Sequence, residues 1–357
     1  MKAKFVMSVL FSAIIALMMG SGFAYAVELP ALALPASGGL FALSFVHLPQ
    51  IGGIAMATVY REVWEKEVTK STDAALKDTF LDGIPDKSQY VTGDGEVYSI
   101  NSVYWDVEPD VLINNTTYPI EIQELNGTPY AITLDKYQTK ATPITDDELF
   151  ALAYDKMATV KDSHKNALVK NMLKKAIHSL APAGNTVNTP VLLTTGAATA
   201  DGTRLRLKWD DIVALREAWT TAGFSLEDLR LVLCNAHVND LLLADTAFKQ
   251  SYANFKDGII TNQLGFEIRE YANNPYYNVT TKAKLSFGGV VTSDHRQASV
   301  VFNKMLARKA SVPAKMFFSE AKTDPLNQRN LINFKNYNIV MPAQAREIGA
   351  IVSGKPA

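Results

Sequence analysis

Apolar or weakly polar residues recur in mid-chain at Leu149, Ala153, Met157, Val160, Leu168, Met172, Ala176 and Leu180, spacings of three, four or eight that keep one stripe on one side of a helix. His164 fills the gap in that stripe. Thr145-Asp146-Asp147-Glu148 has the form of a capping box, in which the Thr hydroxyl and the Glu carboxylate each satisfy a backbone donor without a helical partner. Ala181-Pro182-Ala183-Gly184 ends the pattern, because Pro lacks the donor and Gly tolerates the left-handed exit. The spacing therefore predicts a helix over 145–180, a rod of about 50 Å. That exceeds the ordinary globular helix and suggests a scaffold.

Ahead of the helix the period changes to two. Tyr118-Pro119-Ile120-Glu121-Ile122-Gln123-Glu124-Leu125 alternates, as does Tyr130 to Leu134, and Asn126-Gly127 lies between them. Asn-Gly between alternating runs is a strong hairpin signal. A long β-hairpin is expected here, leading through Leu134-Asp135-Lys136-Tyr137-Gln138-Thr139-Lys140 into the helix. Its strands are polar on both flanks, with few neighbours in sequence, so they are expected to lie on something else. Upstream, Val91 to Trp105 carries β-type runs around Gly93-Asp94-Gly95, and residues 58–81 read as helical until Gly83-Ile84-Pro85-Asp86 breaks them.

Beyond the helix the chain reads as α/β. Val191 to Leu193 is a short apolar run, and Trp209 to Ala222 is an amphipathic helix with Ile212, Leu215 and Trp219 on one side. A strand, Arg230 to Cys234, precedes a helix to Ala244 with Asn235 as its N-cap. Leu264 to Glu270, Gly288 to Val291, Ser299 to Phe302, Tyr337 to Met341 and Ile348 to Val352 are further strand candidates.

The N-terminus differs from the rest. Lys2 and Lys4 precede the apolar run Phe5 to Gly20, and Ala24-Tyr25-Ala26 is an A-x-A pattern, so residues 1–26 read as a signal-like leader. A membrane anchor is the alternative, but the run is short for spanning. Val27 to Leu48 is almost uncharged, and Pro30, Pro35 and Pro49 prevent long regular structure, which predicts an extended arm.

Composition narrows the function classes. The 357 residues are 48% hydrophobic and 20% charged, the range of a globular chain. Lys and Arg total 35 against 36 Asp and Glu, so no basic excess points to tight nucleic-acid binding. One cysteine excludes an intramolecular disulfide and a Cys-based zinc site. Cys234 and His237 are close in sequence, but they sit at a strand-to-helix corner without a nucleophile-elbow surround. His47, His164, His178, His237 and His295 show no metal-ligand spacing, and the Gly-Gly pairs lack a phosphate-loop pattern. Asp146-Asp147 and Asp210-Asp211 open helices, where the backbone dipole favours carboxylates. No catalytic residue, metal ligand or cofactor is predicted.

The order of elements is uncharged arm, hairpin, long helix, α/β lobe and β-rich return. With Leu134 to Lys140, Thr145 to Leu152, Tyr154-Asp155-Lys156, Ile177 to Pro182, Leu231 to Leu241, Gly265 to Ile268, Val300 to Lys304 and Ile348 to Ile351, it resembles the major capsid proteins of tailed bacteriophages, closest to those infecting Bacteroidetes-like hosts. The resemblance implies an α+β, Hong Kong 97-like fold shared with encapsulin shells. It divides the chain into a leader (1–26), an N-terminal arm (27–80), an extended hairpin loop region (81–143), a spine helix (144–190), an axial α/β domain (191–295) and peripheral return strands (296–357).

It also implies a structural protein without an active site, self-assembling into hexamers and pentamers of an icosahedral shell. Inter-subunit contact would fall on Tyr118, Ile120, Ile122, Asn126, Gly127, Tyr130, Lys136 and Lys140, and the spine on Thr145, Glu148, Leu149, Met157, Leu168 and Met172. Portal and scaffolding proteins are implied partners, with packaged DNA met only through non-specific contact. Some relatives crosslink a hairpin Lys to a neighbour's Asn; Lys136 and Lys140 are available, but no partner Asn or promoting acid is identifiable. The leader leaves an exported periplasmic or surface binding protein as the alternative, and an encapsulin-like shell is a further one.

Overall fold

The computed structural model describes residues 65–76, 79–94, 97–105, 111–123, 127–145, 156–253, 259–321 and 326–356. The chain divides into two units, Met1–Val63 and Trp64–Ala357, and the described residues all belong to the second. The expected leader and most of the expected arm lie outside them, as do Asn126, Glu148 and Leu149.

A seven-stranded sheet has the order β6 (Val191–Leu193), β14 (Ile348–Val352), β11 (His295–Asn303), β7 (Leu229–Leu233), β9 (Phe266–Glu270) and β8 (Ile259–Gln263), with β10 (Tyr276–Asn278) also on β11. β7 and β14 are buried at every position, as expected of strands covered on both faces. Alternation divides them between two cores. Val232, Val300, Phe302, Ala350 and Val352 pack with Leu173, Ile177 and Leu180 of helix α2 (Lys156–Leu180). Leu231, Leu233, Val301 and Ile351 face Ile212, Leu215 and Trp219 of α3 (Trp209–Thr221), with Leu241 of α4 (Asn235–Ala244) and Phe248 of α5 (Thr246–Ala253). Gly349 permits a close approach, since a Cβ there would lie 2.9 Å from Val301 Cγ1 and 3.0 Å from Pro190 O. β11 and β14, expected among the peripheral return strands, thus share one sheet with β7 and β9, expected as axial.

The second sheet is built on a long hairpin, β12 (Ala307–Ser319) and β13 (Arg329–Pro342). β4 (Asp135–Gln138) and β5 (Thr142–Thr145) share the other edge of β13. Between them Thr139 fills the ladder, its N–H donating to Phe334 O and its Oγ1 accepting from Phe334 N–H, each at 3.0 Å. The outer edge of β12 is not left as an aggregation template. The N–H groups of Lys309, Ser311, Ala314 and Met316 donate in turn to Pro85 O, Ser88 Oγ, Thr69 Oγ1 and Glu65 Oε1. Helical residues 65–76 (α1) therefore act as a side-chain cover for that edge, while Val68 joins Ile144, Leu168, Met172, Met316 and Phe334 in a third core.

The third sheet is β1 (Val91–Asp94), β2 (Val97–Trp105) and β3 (Gly127–Thr133). β1 and β2 pair across the expected Gly-Asp-Gly turn, with Asp94 opposite Val97. The expected 118–125/130–134 hairpin is corrected. β3 pairs with β2, from Ser99↔Thr133 to Trp105↔Gly127, and residues 118–123 form no strand. β2 is an uninterrupted run rich in Val, Tyr, Ile and Trp, whereas Pro119 removes a ladder donor from the competing run. Gly127 therefore enters a strand instead of turning a hairpin, and Tyr130 lies opposite Ser102.

Four further expectations change. Thr145, expected as the helix N-cap, is the last residue of β5, opposite Arg329, because the Thr142–Thr145 run completes the edge of β13. Lys136 belongs to strand β4 and not to a linker, for the same reason. Cys234, not Asn235, is the N-cap of α4, its carbonyl accepting from His237 and Val238 N–H at 3.0 Å each. Residues 288–291 form no strand; Gly288 ends a turn at φ +80° and Val290 is exposed.

Candidate assembly surface

Residues 111–123, part of the connection between β2 and β3, hold six exposed large apolar side chains. Val111, Ile113 and Ile122 are 83%, 82% and 92% exposed, and Leu112, Tyr118 and Ile120 are also open to solvent. Asn115 holds a local turn, its Oδ1 accepting from Thr117 N–H and its Nδ2 donating to Thr117 O, both at 2.9 Å. Covering such side chains contributes roughly 1.5–3 kcal/mol each. Exposed apolar side chains gathered in this way are characteristic of surfaces that another molecule covers.

The base of this excursion is anchored by burial and a hydrogen bond. Leu134 is buried, and its N–H donates to Tyr98 O at 2.8 Å. Tyr98 packs at a tilt of 54° against Tyr337 of β13 with centroids 4.6 Å apart, which couples the third sheet to the second. Beside it a groove of about 620 Å³ runs along residues 135–140, with Ser163, His164, Asn171 and Lys175 of α2 on its other wall and Phe287 at one end. Lys136 and Lys140 are exposed there. His164 is a packed residue, with Nε2 2.9 Å from Thr142 Oγ1 and its ring on Phe334 at 5.7 Å; burial lowers its pKa.

The expected spine residues divide by depth. Leu168 and Met172 are fully buried in the third core, and Met157 is half-buried against it. The far end of α2 is capped by a later segment. Lys284 Nζ donates to His178 O at 2.8 Å and Ala181 O at 2.5 Å, and Tyr277 Oη donates to Pro182 O. Burial, with help from Lys175, lowers the Lys284 pKa to about 8. A cation at helix carbonyls complements the dipole.

Sequence reading missed the buried ionic groups. Arg230, 1% exposed, donates to Phe80 O (2.8 Å), Asp82 O (2.5 Å) and Glu267 Oε2 (2.9 Å). Arg269 bonds Glu267 Oε1 at 2.5 Å and Thr79 O at 3.0 Å. Burial pushes the Glu267 carboxyl up, but the two guanidiniums outweigh it and hold it below the ordinary value. The cluster ties turn 79–82 to the large sheet. Its signal lay in charges inside otherwise apolar strands, Arg230 in β7 and Glu267 and Arg269 at period two in β9. Arg204 likewise grips Asp240 through both nitrogens, at 2.5 and 2.8 Å.

His237 and Cys234 are wholly enclosed. His237 Nδ1 lies 2.6 Å from Ser299 Oγ and Nε2 2.9 Å from Ser353 Oγ, and Ser299 Oγ accepts from Cys234 N–H at 3.1 Å. Burial raises the Cys234 pKa, the opposite of a reactive thiol. Desolvation lowers His237 to about 4, Asp240 opposing the shift and Arg204 adding to it. Because the unfolded imidazole titrates near 6.5, the unfolded state takes up the proton first. The stability is full above that pH and is lost as pH falls toward 4, by roughly 3 kcal/mol. Denaturant midpoints between pH 7.5 and 4.5 should fall steeply, and His237→Gln should flatten the slope; an equal slope in both proteins refutes this.

Among the described residues no group of three or more His, Cys, Asp or Glu is placed to hold a metal ion, and no helix is long and apolar enough to cross a membrane. No protein-family model and no curated protein sequence matches the chain. Solved structures do. The chain is similar to the capsid of cyanophage P-SCSP1u, with TM-score 0.54 and 16% identity over 76% of this chain and 87% of that one. It is similar to the capsid of Ralstonia phage GP4, with TM-score 0.50 and 11% identity over 77% and 87%. A further match is the mature capsid of bacteriophage PhiM1, with TM-score 0.50 and 13% identity over 77% and 86%. The chain has the Hong Kong 97-like capsid fold. At these identities the likeness is one of fold, and on this Hong Kong 97-like chain the exposed loop and the groove are the surfaces left to explain.

Proposed function

We propose that the chain is the structural subunit of a phage head, forming hexamers and pentamers of a shell that encloses DNA. The observation that carries this is the exposed apolar loop 111–123 on a capsid fold, a surface that makes physical sense only when covered by another chain. In this reading α2 is the spine, β2, β3 and their connection form the extended loop, and the role is structural and not enzymatic. The location is the virion after assembly in the host cytoplasm, with portal and scaffolding proteins as partners and DNA met through non-specific contact. Kinship with phages of Bacteroidetes-like hosts rests on the motifs around 134–156 alone. Residues 1–26 favour export as the second reading.

Sedimentation velocity tests the proposal. The full chain, and a version starting at Val27, are expected to sediment as capsomers or shells when made in the cytoplasm. A monomer whose melting temperature rises with a small ligand favours the exported binding protein.

A further inference from the structure

We infer that a divalent cation of the calcium type binds in the cavity between α1, the chain around Asp86 and the β12–β13 hairpin, where it clips the cover of β12 to the sheet. The cavity measures about 250 Å³, and Asp73, Asp86, Lys309, Ser311 and Asn338 line it.

Period and register aim these side chains. Glu65, Thr69 and Asp73 stand four residues apart, one stripe of α1 facing β12. The first two accept the N–H groups of Met316 and Ala314. Further along that edge the N–H groups of Ser311 and Lys309 are already taken by Ser88 Oγ and Pro85 O, so the stripe ends with the Asp73 carboxylate at the cavity. Asp86 Oδ1 accepts from Ser88 N–H and Oγ–H at 2.8 and 2.5 Å, which leaves its Oδ2 for a further partner. Ser311 pairs with Asn338 and Lys309 with Val340, so the four share the face of the hairpin turned toward α1.

Asn338 points to a ligand. Only 7% of it is exposed, yet its side-chain amide has no hydrogen-bond partner among the described residues, although it lines the cavity. An amide left so is costly. Two carboxylates, an amide carbonyl and a hydroxyl make an oxygen-only set, which suits calcium because that ion takes about six to eight oxygens in flexible geometry and completes its shell with water. Magnesium demands a tighter octahedron and sheds water reluctantly. Lys309 is the opposing charge. It is half-buried and makes no ion pair among the described residues, and its long stem lets the ammonium retreat to solvent.

Equilibrium dialysis of the full-length protein against radioactive calcium, after treatment with EDTA and its removal, tests the site, with thermal unfolding as a second readout. One calcium per chain is expected, with a dissociation constant on the order of 10⁻³ M, the weak end of the range, for a site with two carboxylates. The melting temperature should rise with calcium and much less with magnesium at equal ionic strength. Asp73 and Asp86 are exposed, so Asp73→Asn with Asp86→Asn should keep the fold, as circular dichroism checks, and abolish both effects. Lys309→Met should tighten binding about threefold by removing a like charge. Absence of bound calcium well above that concentration, equal shifts with sodium, magnesium and calcium at one ionic strength, or binding that survives the double Asn variant overturns the site. Weaker binding in Lys309→Met does the same.

Discussion

Ile120→Asp with Ile122→Asp is expected to abolish particles while leaving the subunit folded. Both side chains are already exposed in the single chain, 55% and 92%, so the monomer loses almost no packing. At an interface each substitution removes about 2 kcal/mol of apolar burial and adds the cost of desolvating a carboxylate. A loss of about 4 kcal/mol per contact is roughly a thousandfold in its equilibrium constant, repeated at every subunit. Particle yield by gradient centrifugation and subunit melting by circular dichroism read the two effects separately. Undiminished particles remove the loop from assembly, and a collapsed melting transition makes it part of the subunit's own core.

Arg230→Ala is expected to give the largest loss of subunit stability, roughly 3–5 kcal/mol, the usual cost of breaking a buried ion pair from one side. It leaves Phe80 O and Asp82 O without their charged donor and Glu267 with Arg269 alone. Turn 79–82 would then detach from the large sheet, and proteolysis should cut there first. A double-mutant cycle with Glu267→Gln isolates the pair: strong coupling is expected, and additive losses contradict the cluster as a unit.

What the sequence made legible was what local physics decides. The stripe of α2 from Met157 to Leu180, the amphipathic face of α3 and the apolar runs of β7 and β14 all follow period and burial, and the structure carries them. What it hid was pairing between distant segments. The alternation in 118–123 is real, but β3 found its partner in β2, which no local pattern announces. β12 went unread because Pro313 interrupts it at a register shift between Val312 and Lys315, and because its outer donors are satisfied by residues 65–88 instead of a neighbouring strand. Tyr118, Ile120 and Ile122 stood out in the sequence as three alternating large apolar side chains, and the structure leaves them exposed. The groove was not, since it joins Lys140 to Asn171 and Phe287 only through the fold.

Electron cryomicroscopy of the assembled full-length protein tests the central claim most directly. The account predicts closed shells of pentamers and hexamers, with residues 111–123 of each chain covered by a neighbour. A stable monomer at high protein concentration, with that loop still open to solvent and no closed particle in the images, contradicts it.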